Sequence, residues 1–381
     1  MEASNSEEAR PRGRGDWEKS APGTCRAAAA SPRGETVNDV LRHQTEVLDG
    51  SGDFAELDRF VSATPNASPF QTGFIAKAYS RCPDAEPVVL AVRDRKDQLV
   101  ASMTGVVFSH GKRPGSVADR WSRHCTVRGT PPSLPSESSE TAVRQLRTTL
   151  EETLRPNSTY IRYYPDRDSL FLDVLREGGY VREDWINFVV DLAGSEDQIL
   201  QRMSKQRRKG VQTGLRSGLS ITEVESRADL GDLYSILKQA HTRLKIPFQS
   251  RELFESIYAD LVPKKRSIML LAKHSEETLA GRIILVSNEI AYDWYAGSQP
   301  RARPLHADEI LAWASMVTAK KLGVATFDFG GAGNPHIPYG PREFKRRFGG
   351  VETNLGRFTK ILHPSKFRVV NAVAGVLRQV K

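Results

Sequence analysis

The feature that most limits the fold of this chain is a three-part repeat. Val88 to Arg93, a polar turn and Leu99 to Met103 read as strand–turn–strand. Ile268 to Lys273, a polar turn and Leu279 to Ile283 read the same way and align with the first unit without a gap. A helix and a strand follow each hairpin: Ala142 to Leu154 with Tyr160 to Tyr163, and Glu309 to Leu322, stopped by Gly323, with Thr326 to Phe329. A shorter helix, two glycines and a strand come next in each case. Leu170 to Glu177 precedes Gly178-Gly179-Tyr180-Val181, and Phe344 to Phe348 precedes Gly349-Gly350-Val351. Three matching units in one order argue for a duplicated α/β domain, a mixed sheet flanked by helices. The expected copies span 45–190 and 195–381, the second carrying the active cleft. Ala291 to Ala296 adds a strand to the second copy. Ile186 to Leu192 is expected to close the first copy and lead into the second, and Pro131 to Glu140 is a Pro/Ser loop inside the first.

At 381 residues the chain is too long for one ordinary core. Its net charge of +9 points to anionic partners: phosphates, nucleic acid or an anionic membrane surface, where it would sit peripherally. Cys25, Cys82 and Cys125 show no metal spacing and fit a reducing compartment. No apolar run reaches the length of a membrane span. Residues 1–40 are poor in large apolar side chains and lack the apolar segment of a signal peptide, so a disordered basic tail is expected there. The expectation is a cytoplasmic protein with no metal and no permanently bound cofactor. Zinc spacing, a nucleophile elbow and a Walker loop are all missing. Of the scattered histidines only His336 lies beside a glycine-rich turn, and it reads as a loop residue.

Two segments carry candidate chemistry. From Thr326 to Gly350 an apolar strand ends in Gly330-Gly331, a turn-rich run follows, and a short helix is opened by Pro341 and closed by Gly349. Phe344 and Phe348, four apart, pack down together, which turns Lys345 off that face beside the loop after the strand. A cation held there could stabilise an oxyanion or grip a phosphate; the alternative is a solvated basic face. The second segment, Glu196 to Ser217, reads as a basic helix with Leu200, Met203, Val211 and Leu215 on one face. Arg207 lies on that same face and must find an anion or reach a cleft. Arg202, Lys205 and Lys209 point away and could contact phosphate or RNA.

Phe327-Asp328-Phe329-Gly330-Gly331 followed by Glu343-Phe344-Lys345-Arg346-Arg347-Phe348-Gly349-Gly350 resembles the C-terminal signature of the Fem family of peptidoglycan-bridge aminoacyltransferases and related acyltransferases. The resemblance extends over about Pro65 to Ile361. It takes in Ser68 to Lys77, Lys205-Gln206-Arg207-Arg208, Thr242-Arg243 with Phe254, and Tyr292 to Ser298. It implies two tandem domains of the GCN5-related N-acetyltransferase (GNAT) type. It also implies that Lys345 is catalytic, and that Lys77, Arg207, Arg243, Tyr295 and Asp328 bind substrate. There are departures. No long helical arm fits between Arg243 and Ile268, which removes one tRNA-contacting element. Tyr164 precedes Pro165 where relatives carry an acid, so no acid–base role transfers to it. No Arg-x-x-Gly-x-Gly/Ala loop, the pyrophosphate cradle of coenzyme A-dependent members, is present.

The function implied is transfer of an aminoacyl or acyl group to an amine in peptidoglycan or cell-envelope precursor synthesis. The acceptor would be a phosphate-bearing cell-wall precursor, and the donor aminoacyl-tRNA or acyl-CoA. Two alternatives stand beside it. One is an acyl-CoA-dependent N- or O-acyltransferase acting on polysaccharide or lipid, and the other a non-enzymatic basic RNA-binding module.

Overall fold

A computed structural model describes residues 44–48 and 54–379, apart from 66, 110–115, 136–138, 245 and 288. The tail expected over 1–40 lies outside them. The described chain forms two mixed seven-stranded sheets. In the first, the spatial order is β1 (Gln44–Leu48), β2 (Ala85–Arg93), β3 (Leu99–Phe108), β4 (His124–Arg128), β5 (Tyr160–Tyr164), β14 (Arg357–Ile361) and β6 (Val181–Glu183). In the second it is β8 (Ser220–Glu223), β9 (Ser267–His274), β10 (Glu277–Val286), β11 (Ile290–Ser298), β12 (Thr326–Gly331), β7 (Asn187–Asp191) and β13 (Val351–Thr353). The repeat in the sequence is therefore a repeat in space: the β2–β3 hairpin occupies the position in one sheet that β9–β10 occupies in the other.

One strand in each sheet comes from the other half. Asn187 to Asp191, expected to close the first copy, pairs with β12 and β13 of the second sheet, while β14 returns to pair with β5 and β6 of the first. The two connectors are bound together. Asn354 Oδ1 accepts from Trp185 N at 3.1 Å, Arg182 Nη2 donates to Asn354 O at 2.8 Å, and Arg357 bonds the Glu183 carboxylate. Alternation along Asn187 to Asp191 is satisfied by either sheet, so the pattern sets strand character but not partner.

The central strands are buried on both faces, which is why they read as continuous apolar runs. Ile268, Leu270 and Ala272 face a core shared with the helix Ala307–Lys321; Met269 and Leu271 face the opposite way. That second core joins the halves: Phe70, Ile75 and Tyr79 from the first pack with Leu237, Phe254 and Ile283 from the second. The basic segment expected as one helix is two, Glu196–Arg202 and Lys205–Leu215. Met203 is extended, and the Ser204 side chain accepts from Arg207 N, so the second helix starts with its own N-cap. Leu215 consequently falls on an exposed face. Between Arg243 and Ile268 the helix Arg251–Leu261 is short, with no arm.

Candidate active site

The two sheets differ at the strand ends that face each other. In the first sheet β4 and β5 stay paired in parallel through their last residues, Arg128 and Tyr164. In the second, β11 and β12 pair only over Ile290–Tyr292 and Thr326–Asp328, and then part. The β10–β11 register shifts at the same level, leaving Trp294 as an extra residue. This bulge breaks the alternation expected for the strand. Trp294 and Tyr295 both reach Phe254, with ring centroids 6.5 and 5.1 Å away, where strict alternation would put one on each side.

Parting the strands frees backbone carbonyls that need donors. Lys345 supplies them. Its ammonium donates to Phe329 O at 2.5 Å, Gly331 O at 2.9 Å and, more weakly, Gly330 O at 3.4 Å. The helix Gly340–Arg346 holds it there. Phe348, fully buried, stacks with Phe344 at 5.2 Å and with Phe329 at 4.9 Å. Arg342 donates to the carbonyls of Ala332, Pro335 and Ile337, tying down the turn-rich loop. Arg207 lies under the helix. Its guanidinium is 4.2 Å from the Phe344 centroid and 4.6 Å from that of Phe348, donates to Phe344 O, and pairs with Glu309 at 2.8 Å.

Charge is concentrated around the parting point. Asp328 is buried; its Oδ1 accepts from Gly330 N at 2.7 Å, and Asn187 Nδ2 lies 3.3 Å from Oδ2. Burial pushes its carboxyl up to about 6, against the Gly330 N–H and the Lys345 ammonium, while Asp166 adds to the rise. Burial lowers the Lys345 pKa, and the carboxylates of Asp293 and Asp328 oppose that. Asp293 pairs with the buried Arg282 at 3.0 Å. Gly330 adopts φ +67°, and a Cβ there would lie 2.9 Å from the Tyr292 hydroxyl, so the bend fits only glycine without strain.

The first sheet closes the other side. Phe70 meets Tyr292 edge-on at 4.7 Å. Arg128 lies over Phe70 and Tyr164, at 5.9 and 4.9 Å. Trp185 bridges the two walls: its ring is 5.9 Å from that of Tyr164, and its Nε1 is 2.5 Å from where a Gly331 Cβ would be. The ends of β4, β5, β11 and β12 thus come together, with an arginine on the first-sheet side and an ammonium on the second.

Of the residues singled out from the sequence, Lys345 and Asp328 meet at this point, and Tyr295 stands nearby in an aromatic cluster with His241, Phe248 and Trp294. Arg207 and Lys77 were both expected to bind substrate. Arg207 instead directs its charge to Glu309 beneath the Lys345 helix, and Lys77 is exposed on the helix Gly73–Ser80, which packs on β2, β3 and the helix Arg251–Leu261. Arg243 is exposed and donates to Ser298 O at the end of β11. His336 is an exposed loop residue, 3.3 Å from Asp184 Oδ2. Arg128, Trp185 and Asn187 were not singled out from the sequence, and Tyr292 entered only within the stretch Tyr292 to Ser298. The signal available for Arg128 was its place just before Gly129, at the end of an apolar strand.

The family model of the acetyltransferase (GNAT) domain matches residues 199–346. The fold is similar to that of FemX, with a TM-score of 0.64 at 16% identity, covering 86% of this chain and 99% of that one. A tandem GNAT protein from the clavulanic acid biosynthesis pathway aligns with a TM-score of 0.54 at 11% identity, covering 85% of this chain and 99% of the other. L-PGS from Bacillus licheniformis aligns with a TM-score of 0.52 at 14% identity, covering 86% and 97%. No curated protein matches the sequence.

Proposed function

We propose that this chain, a tandem GNAT-type protein with the Fem-like fold, transfers an aminoacyl or acyl group from an activated ester to an amine of a cell-envelope precursor. The observation that carries the proposal is the parting of β11 and β12 with the Lys345 ammonium set across it. An ester carbonyl seated in the gap is attacked by the amine. The tetrahedral intermediate then carries a negative oxygen, and Lys345 exchanges its long contact to Gly330 O for that oxygen. The cation is already placed by Phe344, Phe348 and Arg207, so little reorganisation is needed when the charge develops. Collapse of the intermediate breaks the C–O bond, a proton lost from the attacking nitrogen passes to the departing oxygen, and the alcohol of the ester leaves behind an amide. The resemblance of Phe327–Gly331 and Glu343–Gly350 to the Fem signature supports a cell-wall precursor as acceptor.

An aminoacyl ester such as aminoacyl-tRNA is the donor we favour over acyl-CoA. A helix N-terminus welcomes a pyrophosphate when its N–H groups are open. Here the helix Ala307–Lys321 carries Asp308 and Glu309 in its first turn, is preceded by the 3₁₀ turn Pro300–Leu305, and begins after His306 at φ 55°. Asp308 accepts from Ser298 Oγ and Glu309 from Arg207, so the first turn carries two carboxylates whose charge opposes a diphosphate there. The test supplies lysine-bearing acceptors with either aminoacyl-tRNA or acyl-CoA and follows amide formation by mass spectrometry. Product from the aminoacyl ester alone is expected. Comparable product from acyl-CoA would overturn the donor assignment, and product from neither would overturn the transfer reading.

A further inference from the structure

We infer that Arg128 binds a carboxylate on the amine-bearing acceptor, on the first-sheet side opposite Lys345. The identity of the ligand as an acceptor rests on the transfer reading above; the site itself rests on what surrounds the guanidinium. The backbone at Arg128 is fixed. Gln71, fully buried, donates Nε2 to Arg128 O at 2.7 Å. Gly129 turns the chain at φ +74°, and a Cβ there would lie 2.0 Å from Ser68 Oγ and 3.0 Å from Asp166 Oδ2. Gly129 N donates to Tyr164 O at 2.9 Å, and Thr130 N to Asp166 Oδ1 at 2.9 Å. The side chain is placed by the faces of Phe70 and Tyr164.

What sets Arg128 apart is its lack of a counter-charge. Arg207 has Glu309, Arg282 has Asp293 and Arg147 has Glu151. Among the described residues, no carboxylate pairs with Arg128. The aromatic faces of Phe70 and Tyr164 meet its charge. Arg128 is half-buried, so its cation is only partly hydrated and has no ionic partner, and an incoming anion makes up for the lost water. The aromatic faces leave the edge of the guanidinium open, which suits a planar acceptor bonded by two parallel N–H groups. The charge available is a single positive one. Asp328 and Asp166 act on the neighbouring Tyr292 and would repel any surplus negative charge. A monovalent carboxylate fits this wall better than a diphosphate.

The test uses the full chain and Nα-acetyl-lysine, with its carboxamide as the uncharged control and dimethyl phosphate as the rival monoanion, titrated by NMR. The acid should bind about tenfold more tightly than the amide. Arg128→Gln should abolish that ratio, and a thermal melt of the variant confirms folding. Arg128→Lys, which keeps the charge but loses the paired geometry, should recover only part of it. Equal binding of acid and amide to the wild type, including no binding of either, would overturn the site. So would a ratio that survives in Arg128→Gln, or tighter binding of dimethyl phosphate than of the acid. Because binding is read without turnover, failure of the transfer reading would leave this result standing on its own.

Discussion

Removing the Arg207 guanidinium should damage stability first and ligand binding little. Arg207→Ala leaves Glu309 without its cation. Breaking a buried pair from one side costs about 3–5 kcal/mol, and the lower end applies because the Glu309 side chain is 22% exposed. The guanidinium also lies over two rings, Phe344 and Phe348, and losing those contacts adds about 1 kcal/mol. The expected total is about 4 kcal/mol. Equilibrium unfolding in urea reads it as a fall in the midpoint with the slope unchanged. Glu309→Gln on its own leaves the buried Arg207 unpaired and should cost a similar amount, so the two changes together should cost far less than their sum. The Lys345 helix sits on this pair, so the turnover of Arg207→Ala should also fall. If Arg207→Ala unfolds within 1 kcal/mol of wild type, if the two changes are additive, or if the main loss is in affinity for phosphate-bearing substrates, Arg207 is a substrate-binding cation and the packing argument fails.

Two further outcomes follow from the parting point of β11 and β12. Asp328 holds its proton to about pH 6 in the fold, against an ordinary value of 3.8, so its stabilising contribution is complete below about pH 4 and is lost as pH rises through 6. Asp328→Asn should remove that loss, making the variant more stable relative to wild type at pH 7 than at pH 4 by up to about 3 kcal/mol in urea titrations; a constant difference would refute it. Gly330→Ala forces a side chain into φ +67° beside the Tyr292 hydroxyl, so a loss of at least about 1–2 kcal/mol is expected in a thermal melt, with a larger proportional loss of activity; a wild-type melt would contradict the strain.

Much of this architecture can be read in the chain. The hairpins at Val88–Met103 and Ile268–Ile283, and the pairing of Phe344 with Phe348, depend on local periodicity, which sequence displays directly. The exchange of Asn187–Asp191 and Arg357–Ile361 between sheets does not, because an alternating strand suits either sheet and the deciding contacts, Asn354 with Trp185 and Arg357 with Glu183, join residues about 170 apart. Arg207 on an apolar face does demand an anion, but sequence cannot tell a ligand from Glu309, 102 positions on. Arg128 shows the converse. Ending an apolar strand, it carries no periodic signal, and its interest lies in a missing partner that only three-dimensional neighbours reveal. The bulge at Trp294 arises from a register shift that nothing in Tyr292 to Ser298 announces.

The most direct test of the account is single-turnover transfer by Lys345→Ala with saturating donor and acceptor, run beside a thermal melt. A preorganised oxyanion donor contributes about 10²–10³ in rate. The account predicts a fall of that size with substrate affinity nearly unchanged, a melt close to wild type, and poor rescue by Lys345→Arg, whose planar fork cannot reproduce a point charge beside the carbonyls of Phe329 and Gly331. Transfer at the wild-type rate, or loss of activity that tracks loss of the fold, would show that Lys345 only satisfies those carbonyls and would contradict the mechanism.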